Sequence, residues 1–165
     1  MGMSCSASIS FGVDVAAEDV PWNCEEEDMH DWIAEKHGIT NKHLWDKYYA
    51  WEASTGNNRR DVRAFEELHP EWKAAQDEFY KQKREFLSAL PLDTVSHGYP
   101  DDERRLIICL AGTEKSVYLG DVLELEEDDF WTPDPARLGI AHAFAAAQGI
   151  PFGSPHWLLS VWYSY

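Results

Sequence analysis

From Ser8 to Val15 the chain alternates, with Ile9, Phe11, Val13 and Val15 set against Ser8, Ser10, Gly12 and Asp14. A period of two sends the two sets to opposite faces of an extended backbone, so a half-buried β-strand opens the fold. The pattern then lengthens. Met29, Trp32 and Ile33 share one side of a helix expected over about Glu25 to Lys36 and ending at His37-Gly38, with the acids Glu25, Glu26, Glu27 and Asp28 at its positive end. Leu44, Trp45, Tyr48, Tyr49 and Trp51 recur at helical steps in a second helix, capped by Thr40 or Asn41 and stopped near Gly56-Asn57-Asn58.

A third helical stretch spans about Arg59 to Leu90, with Val62, Phe65, Leu68, Trp72, Ala75, Phe79, Phe86 and Leu90 on its apolar face. Pro70 divides it, because proline suits the first residue of a helix and is costly inside one. Beyond Pro91 the period returns to that of strands. Leu92 to His97 reads as a short strand, Leu106 to Leu110 as one covered on both faces, and Ser116 to Leu125 as its hairpin partner across Ala111-Gly112-Thr113-Glu114. A helix over about Pro135 to Gln148, closed by Gly149 and Pro151, leads to a last strand over Trp157 to Tyr163. There Trp157, Leu159, Val161 and Tyr163 face one way and Leu158, Ser160, Trp162 and Ser164 the other, so the strand is either covered twice or exposes a stripe. These elements predict an α+β fold: a mostly antiparallel sheet (N-terminal strand, C-terminal hairpin, final strand) packed with three to five helices in a single domain, 1–165.

Charge narrows the function. The chain has 30 Asp plus Glu against 14 Lys plus Arg, a net charge of -16, together with 8 Trp, 7 Tyr and 7 Phe. A disordered acidic tail would be poor in aromatic residues, so this is a folded acidic domain. Its field repels phosphate backbones and anionic membrane surfaces and favours basic proteins, including surfaces that otherwise grip nucleic acid. The acids are unevenly spread: 11 acidic and 3 basic residues in 1–56, 7 and 7 in 57–90, 12 and 4 in 91–165. In the middle segment Arg59, Arg60, Arg63, Lys73, Lys81, Lys83 and Arg84 interleave with acids, the pattern of an ion-paired solvated face.

No cluster of residues announces a reaction. Cys5, Cys24 and Cys109 are odd in number and lack a Cys-x-x-Cys spacing, which fits a reducing compartment better than a disulfide framework or a structural zinc site. Cys109, inside an apolar strand, reads as an inert small hydrophobe. His30, His37 and His43 do not share a helical face, there is no His-Glu-x-x-His, and the glycines build neither a Walker loop nor a dinucleotide fingerprint. No metal ligand, cofactor or catalytic residue is assigned. The N-terminus carries no basic-then-apolar leader and no run approaches a membrane span, so a soluble protein of the cytoplasm is expected.

The densest charged feature is Glu124, Glu126, Glu127, Asp128 and Asp129, followed by Phe130 and Trp131. Besides a solvated loop, this pattern describes an aromatic anchor ringed by carboxylates that docks on a basic surface. Glu25, Glu26, Glu27 and Asp28 with Trp22 form a second such patch. Aromatic stacking with Arg104 and Arg105, or with Arg59, Arg60 and Arg63, offers another reading, a sponge for a small signalling nucleotide. The final strand, if it leaves an aromatic edge unpaired, favours a homodimer.

Three segments together resemble a family of small, acidic, largely uncharacterised proteins of tailed bacteriophages. They are Ile9-Ser10-Phe11-Gly12-Val13-Asp14 with Asp19-Val20-Pro21-Trp22-Asn23, the helix end Arg84-Glu85-Phe86-Leu87 to Pro91-Leu92, and Gly149-Ile150 to His156-Trp157-Leu158-Leu159-Ser160-Val161-Trp162. The chain departs from that family at its end, which reads Leu-Leu-Ser-Val-Trp-Tyr-Ser-Tyr. The resemblance implies a phage product in the host bacterial cytoplasm and carries no catalytic residues. With the charge, it leads to an expected role as an accessory protein that binds and inhibits a host protein, a basic or nucleic-acid-binding defence factor among them; a virion or packaging component is the further alternative.

Overall fold

The computed structural model describes residues 4–24, 27–55, 62–97, 105–118, 124, 126 and 130–164. The chain separates into a helical unit, residues 30–89, and a sheet unit, residues 1–29 and 90–165. The fold is α+β as expected, with five α-helices and a five-stranded antiparallel sheet among the described residues.

In the helical unit, α1 (Met29–Lys36), whose first residue falls in the sheet unit, is followed by α2 (Lys42–Thr55), α3 (Val62–Leu68) and α4 (Pro70–Ser88). The expected start of α1 at Glu25 is corrected: the helix begins at Met29, so Glu27 and Asp28 precede it and Glu25 and Glu26 lie outside the described residues. Its end is where the sequence places it. Gly38 takes φ 75° and lets Ile39 N donate back to Ala34 O at 2.8 Å, closing the last turn. Thr40 Oγ1 accepts from Lys42 N at 3.3 Å at the start of α2, and Pro70 occupies the first turn of α4. The Gly56-Asn57-Asn58 stop and Arg59 to Asp61 lie outside the described residues.

Leu44, Tyr48, Phe65 and Trp72 form the core of the three longer-range partners α2, α3 and α4, with Trp45, Trp51, Val62 and Ala75 packed around it. The rings meet edge to face, Phe65 with Trp72 at 5.3 Å and Tyr48 with Phe65 at 5.4 Å, an arrangement that contributes about 1 kcal/mol per pair beyond area burial. Trp72 Nε1, which burial would otherwise strand, donates to Leu44 O at 2.6 Å. Leu68, expected on this face, is 64% exposed; it is the last residue of α3, two before Pro70 opens α4.

The sheet unit is organised by β1 (Ser4–Ala16), which pairs with β3 (Arg105–Leu110), β4 (Lys115–Tyr118) and β5 (His156–Ser164), while β2 (Leu92–His97) pairs with β3. The expected hairpin between 106–110 and 116–125 is not formed, and residues 119–123 and 125 lie outside the described residues. Ser6 to Ile9 have partners in both β4 and β5, and Gly12 has partners in both β3 and β5. A strand has two edges, so β3 and β4 run one after the other along the same edge of β1. Between the pairs Gly12↔Cys109 and Ile9↔Lys115, five residues of the later segment oppose two of β1. Ala111 to Glu114 are therefore an outward loop in an interrupted strand.

That loop has its own hydrogen bonds. Gly112 takes φ 74°, Thr113 N donates to Leu110 O at 3.1 Å, and Thr113 Oγ1 accepts from Phe11 N at 3.2 Å, replacing the ladder partner that the loop removes. The side chain of Arg137 donates to Ala111 O, tying the loop to α5 (Pro135–Gln148). The helix itself follows expectation, with Asp134 Oδ1 capping Ala136 N at 3.0 Å and Gly149 at φ 76° closing it.

The reading of β1 as half-buried is corrected. Ile9 and Val13 are buried, but Ser8 and Ser10 are fully so, and Ser8 Oγ lies 3.1 Å from Ser160 Oγ. The reason is curvature. A Cβ on Gly12 would sit 2.7 Å from Cys109 Cα, so β3 folds over the face that carries Ser8, Ser10 and Gly12. β1 contributes only small residues to the inside of that curl, where Val95, Ile107 and Cys109 of β2 and β3 pack together with Leu158 of β5.

Candidate functional site

The charge surplus belongs to one unit. The sheet unit contains nineteen acidic residues and four basic ones, a net charge of -15, whereas the helical unit contains eleven and ten. Any attraction for a cationic partner is therefore concentrated on residues 1–29 and 90–165.

On that unit an apolar stripe faces outward. Side chains of β5 alternate, with Ser160 buried inside the curl and Leu159 and Val161 on the opposite face, 69% and 49% exposed. Trp157 begins the same stripe and is held edge to face by Phe11 at 5.6 Å and by Phe130 at 5.5 Å. Phe130, 44% exposed, thus extends the stripe rather than standing alone. Trp131 is steadied by the guanidinium of Arg137, 5.6 Å from its ring centre. Glu124 and Glu126, shortly before Phe130 in the chain, are exposed. Exposed apolar surface of this kind, on a unit with a large surplus of one sign of charge, suits a docking site.

The expected partner-binding residues separate accordingly. Phe130 and Trp131 are exposed with Glu124 and Glu126, while Glu127, Asp128 and Asp129 lie outside the described residues. In the second patch Asp28 is exposed and Glu27 half-buried, but Trp22 is only 6% exposed and is a core residue rather than a docking ring, correcting its assignment. Leu159 and Val161 belong with Phe130 and were visible in the sequence only as one of two faces of the last strand.

A concave feature of the helical unit was not visible in the sequence at all. In the helical unit, Leu44, Trp51, Phe65, Trp72 and Ala75 wall a cavity of about 410 Å³, with Lys47, Ser54, His69 and Glu71 supplying its polar groups. His69 stacks on Phe65 at 4.4 Å, and its Nδ1 lies 3.3 Å from Glu71 Oε1.

Cys109 is completely buried, and its thiol is pushed up to about 12 by burial and then by Asp93 and Glu114. It stays protonated near neutrality, as its apolar strand suggested. The carboxyl of Glu114 is itself raised by burial and by Asp93. Among the described residues no three His, Cys, Asp or Glu side chains are grouped to hold a metal ion, and no helix is long and apolar enough to cross a membrane. No family model, curated protein or solved structure matches the chain.

Proposed function

We propose that this chain is a bacteriophage accessory protein that acts in the host bacterial cytoplasm by docking its sheet unit on a basic, nucleic-acid-binding surface of a host protein and blocking it. The observation that carries the reading is the coincidence of an exposed apolar stripe, Phe130, Leu159 and Val161, with the unit that holds a net charge of -15. The stripe supplies desolvation energy, and the carboxylates supply steering and partner choice. The same charge argues against a second copy of this chain as the occupant, because two such faces would repel. The resemblance to small acidic phage proteins supports the setting.

The test is affinity capture from bacterial lysate by the wild-type chain and by a variant combining Glu124→Lys, Glu126→Lys, Phe130→Ala and Leu159→Ser, all at exposed positions. A nucleic-acid-binding protein retained at about 0.15 M salt, released near 1 M where the Debye length falls to about 3 Å, and lost with the variant supports the reading. Equal capture by both proteins, or none, refutes it.

A further inference from the structure

We propose that the outer edge of β5 is a strand-addition site, onto which an extended, basic segment of the host protein pairs through its backbone. The inference rests on the docking role and names how the partner engages the sheet unit.

The topology leaves that edge open. β5 pairs with β1 over nine consecutive residues without a bulge, and among the described residues no strand pairs with its other side. Leu158 packs into the curl against Val95, Ile107 and Cys109, but no ladder joins β5 to β2. The direction of the backbone groups follows from β1. Phe11 N donates to Thr113 Oγ1 at 3.2 Å, on the edge of β1 that β3 and β4 occupy, so it points away from β5. Successive N–H groups of a strand point to alternate edges, and residues directly opposite in an antiparallel ladder exchange both hydrogen bonds or neither. Phe11 stands opposite Trp157, so this pair exchanges none, whereas Ser10 with Leu158 and Ser8 with Ser160 exchange both. The N–H and C=O of Trp157, Leu159, Val161 and Tyr163 therefore face the open edge.

The composition leaves it unguarded. Proteins blunt exposed edges with charged residues, proline, bulges or short strands. β2 has six residues and carries Asp93, and β4 has four and begins at Lys115. β5 has nine, His-Trp-Leu-Leu-Ser-Val-Trp-Tyr-Ser, with no Asp, Glu, Lys, Arg, Pro or Gly. A long, regular edge without these devices is a template for another strand. Charge selects which. The unit's net charge of -15 opposes a second copy of the same edge and attracts a segment rich in Lys and Arg. Leu159 and Val161 are exposed on one face, and the small, buried Ser160 lies between them on the other. At its centre the incoming segment therefore alternates apolar with small residues.

The experiment is a fluorescence-polarisation titration of the full chain with the labelled peptide Lys-Lys-Thr-Val-Ser-Val-Thr-Lys-Lys, with a copy N-methylated at Val-Ser-Val, and with a copy bearing Glu for Lys. In the protein, Val161→Pro removes one outward N–H at a position where proline spares the β1 ladder, and Val161→Thr keeps it. Circular dichroism verifies folding, and the N-methylated peptide tests the same backbone pairing without altering the protein. Saturable binding of the basic peptide is expected, about tenfold weaker after N-methylation and about tenfold weaker to Val161→Pro, with Val161→Thr within about threefold of wild type. Equal affinity for the N-methylated peptide, equal losses in Val161→Thr and Val161→Pro, or no saturable binding overturns strand addition and leaves the docking role to its own capture test. Equal affinity for the Glu peptide overturns the charge selection on which both rest. A wild-type dimer in light scattering that Val161→Pro dissociates places a second copy on the edge and overturns the basic partner.

Discussion

Replacing Gly12 with alanine adds one methyl group, and the structure makes that methyl expensive. A Cβ at this position would sit 2.7 Å from Cys109 Cα and 2.9 Å from the Ile108 carbonyl carbon, inside any real contact distance. Both neighbours are backbone atoms of β3, a strand pinned on its other side by β2, so no side chain can rotate away to make room. Overpacking of a well-packed interior costs about 1–3 kcal/mol, and an unyielding backbone places Gly12→Ala near the top, about 3 kcal/mol. The intrinsic preference runs the other way, since alanine in a strand gains about 0.5 kcal/mol over glycine from the unfolded chain. The net loss is a large fraction of the roughly 5–15 kcal/mol that holds a domain folded. Equilibrium urea unfolding followed by tryptophan fluorescence and circular dichroism reads it. Gly139→Ala is the control: it sits in α5 with nothing within 4 Å of an added Cβ and is expected to stabilise by about 0.5–1 kcal/mol. A Gly12→Ala midpoint equivalent to less than about 0.5 kcal/mol would refute the curled β1–β3 crossing.

Thr113→Val keeps the shape of the interrupted strand but strands Phe11 N–H, at a cost of about 1–3 kcal/mol in urea unfolding, whereas Thr113→Ser retains most of the stability; equal losses would mean the hydroxyl is not the acceptor. Asp134→Ala removes the α5 cap and costs about 1 kcal/mol, while Asp134→Asn is nearly neutral, measured the same way. Alkaline pH should destabilise the fold through Cys109. Below its ordinary value of 9.0 both states keep the proton; between 9.0 and about 12 the unfolded chain loses it and the native chain does not. Stability therefore falls as pH rises through that window, by at most about 1.4 kcal/mol per pH unit from this group, and Cys109→Ala removes that slope. A slope unchanged in the variant contradicts the burial of the thiol.

Local chemistry made much of this fold legible. Pro135 and Gly149 bracket α5, Gly38 ends α1 and Pro70 starts α4, because proline and glycine act on the backbone irrespective of what packs against it. What depended on distant partners was misread. Ala111-Gly112-Thr113-Glu114 has the composition of a hairpin turn, yet the turn is an excursion within a strand that stays on one edge of β1, a result fixed by the length of β1 and not by the turn. Ser8 and Ser10 looked like an outer face because serine is polar, but the curl at Gly12 makes their small size the relevant property. Trp22 was read as a docking ring because acids follow it in sequence, whereas burial decides its role. The cavity was illegible for the same reason: Lys47, Phe65 and Trp72 lie on three helices, and no spacing in the sequence announces their meeting.

The docking account is tested most directly by zero-length carbodiimide coupling of the full chain to the host protein it captures, with mass spectrometry locating the carboxylates joined to the partner's lysines. The account predicts cross-links from the sheet unit, at Glu124, Glu126 and their acidic neighbours, that vanish at high salt. Cross-links confined to the carboxylates of α2, α3 and α4, or a complex indifferent to salt, would contradict it.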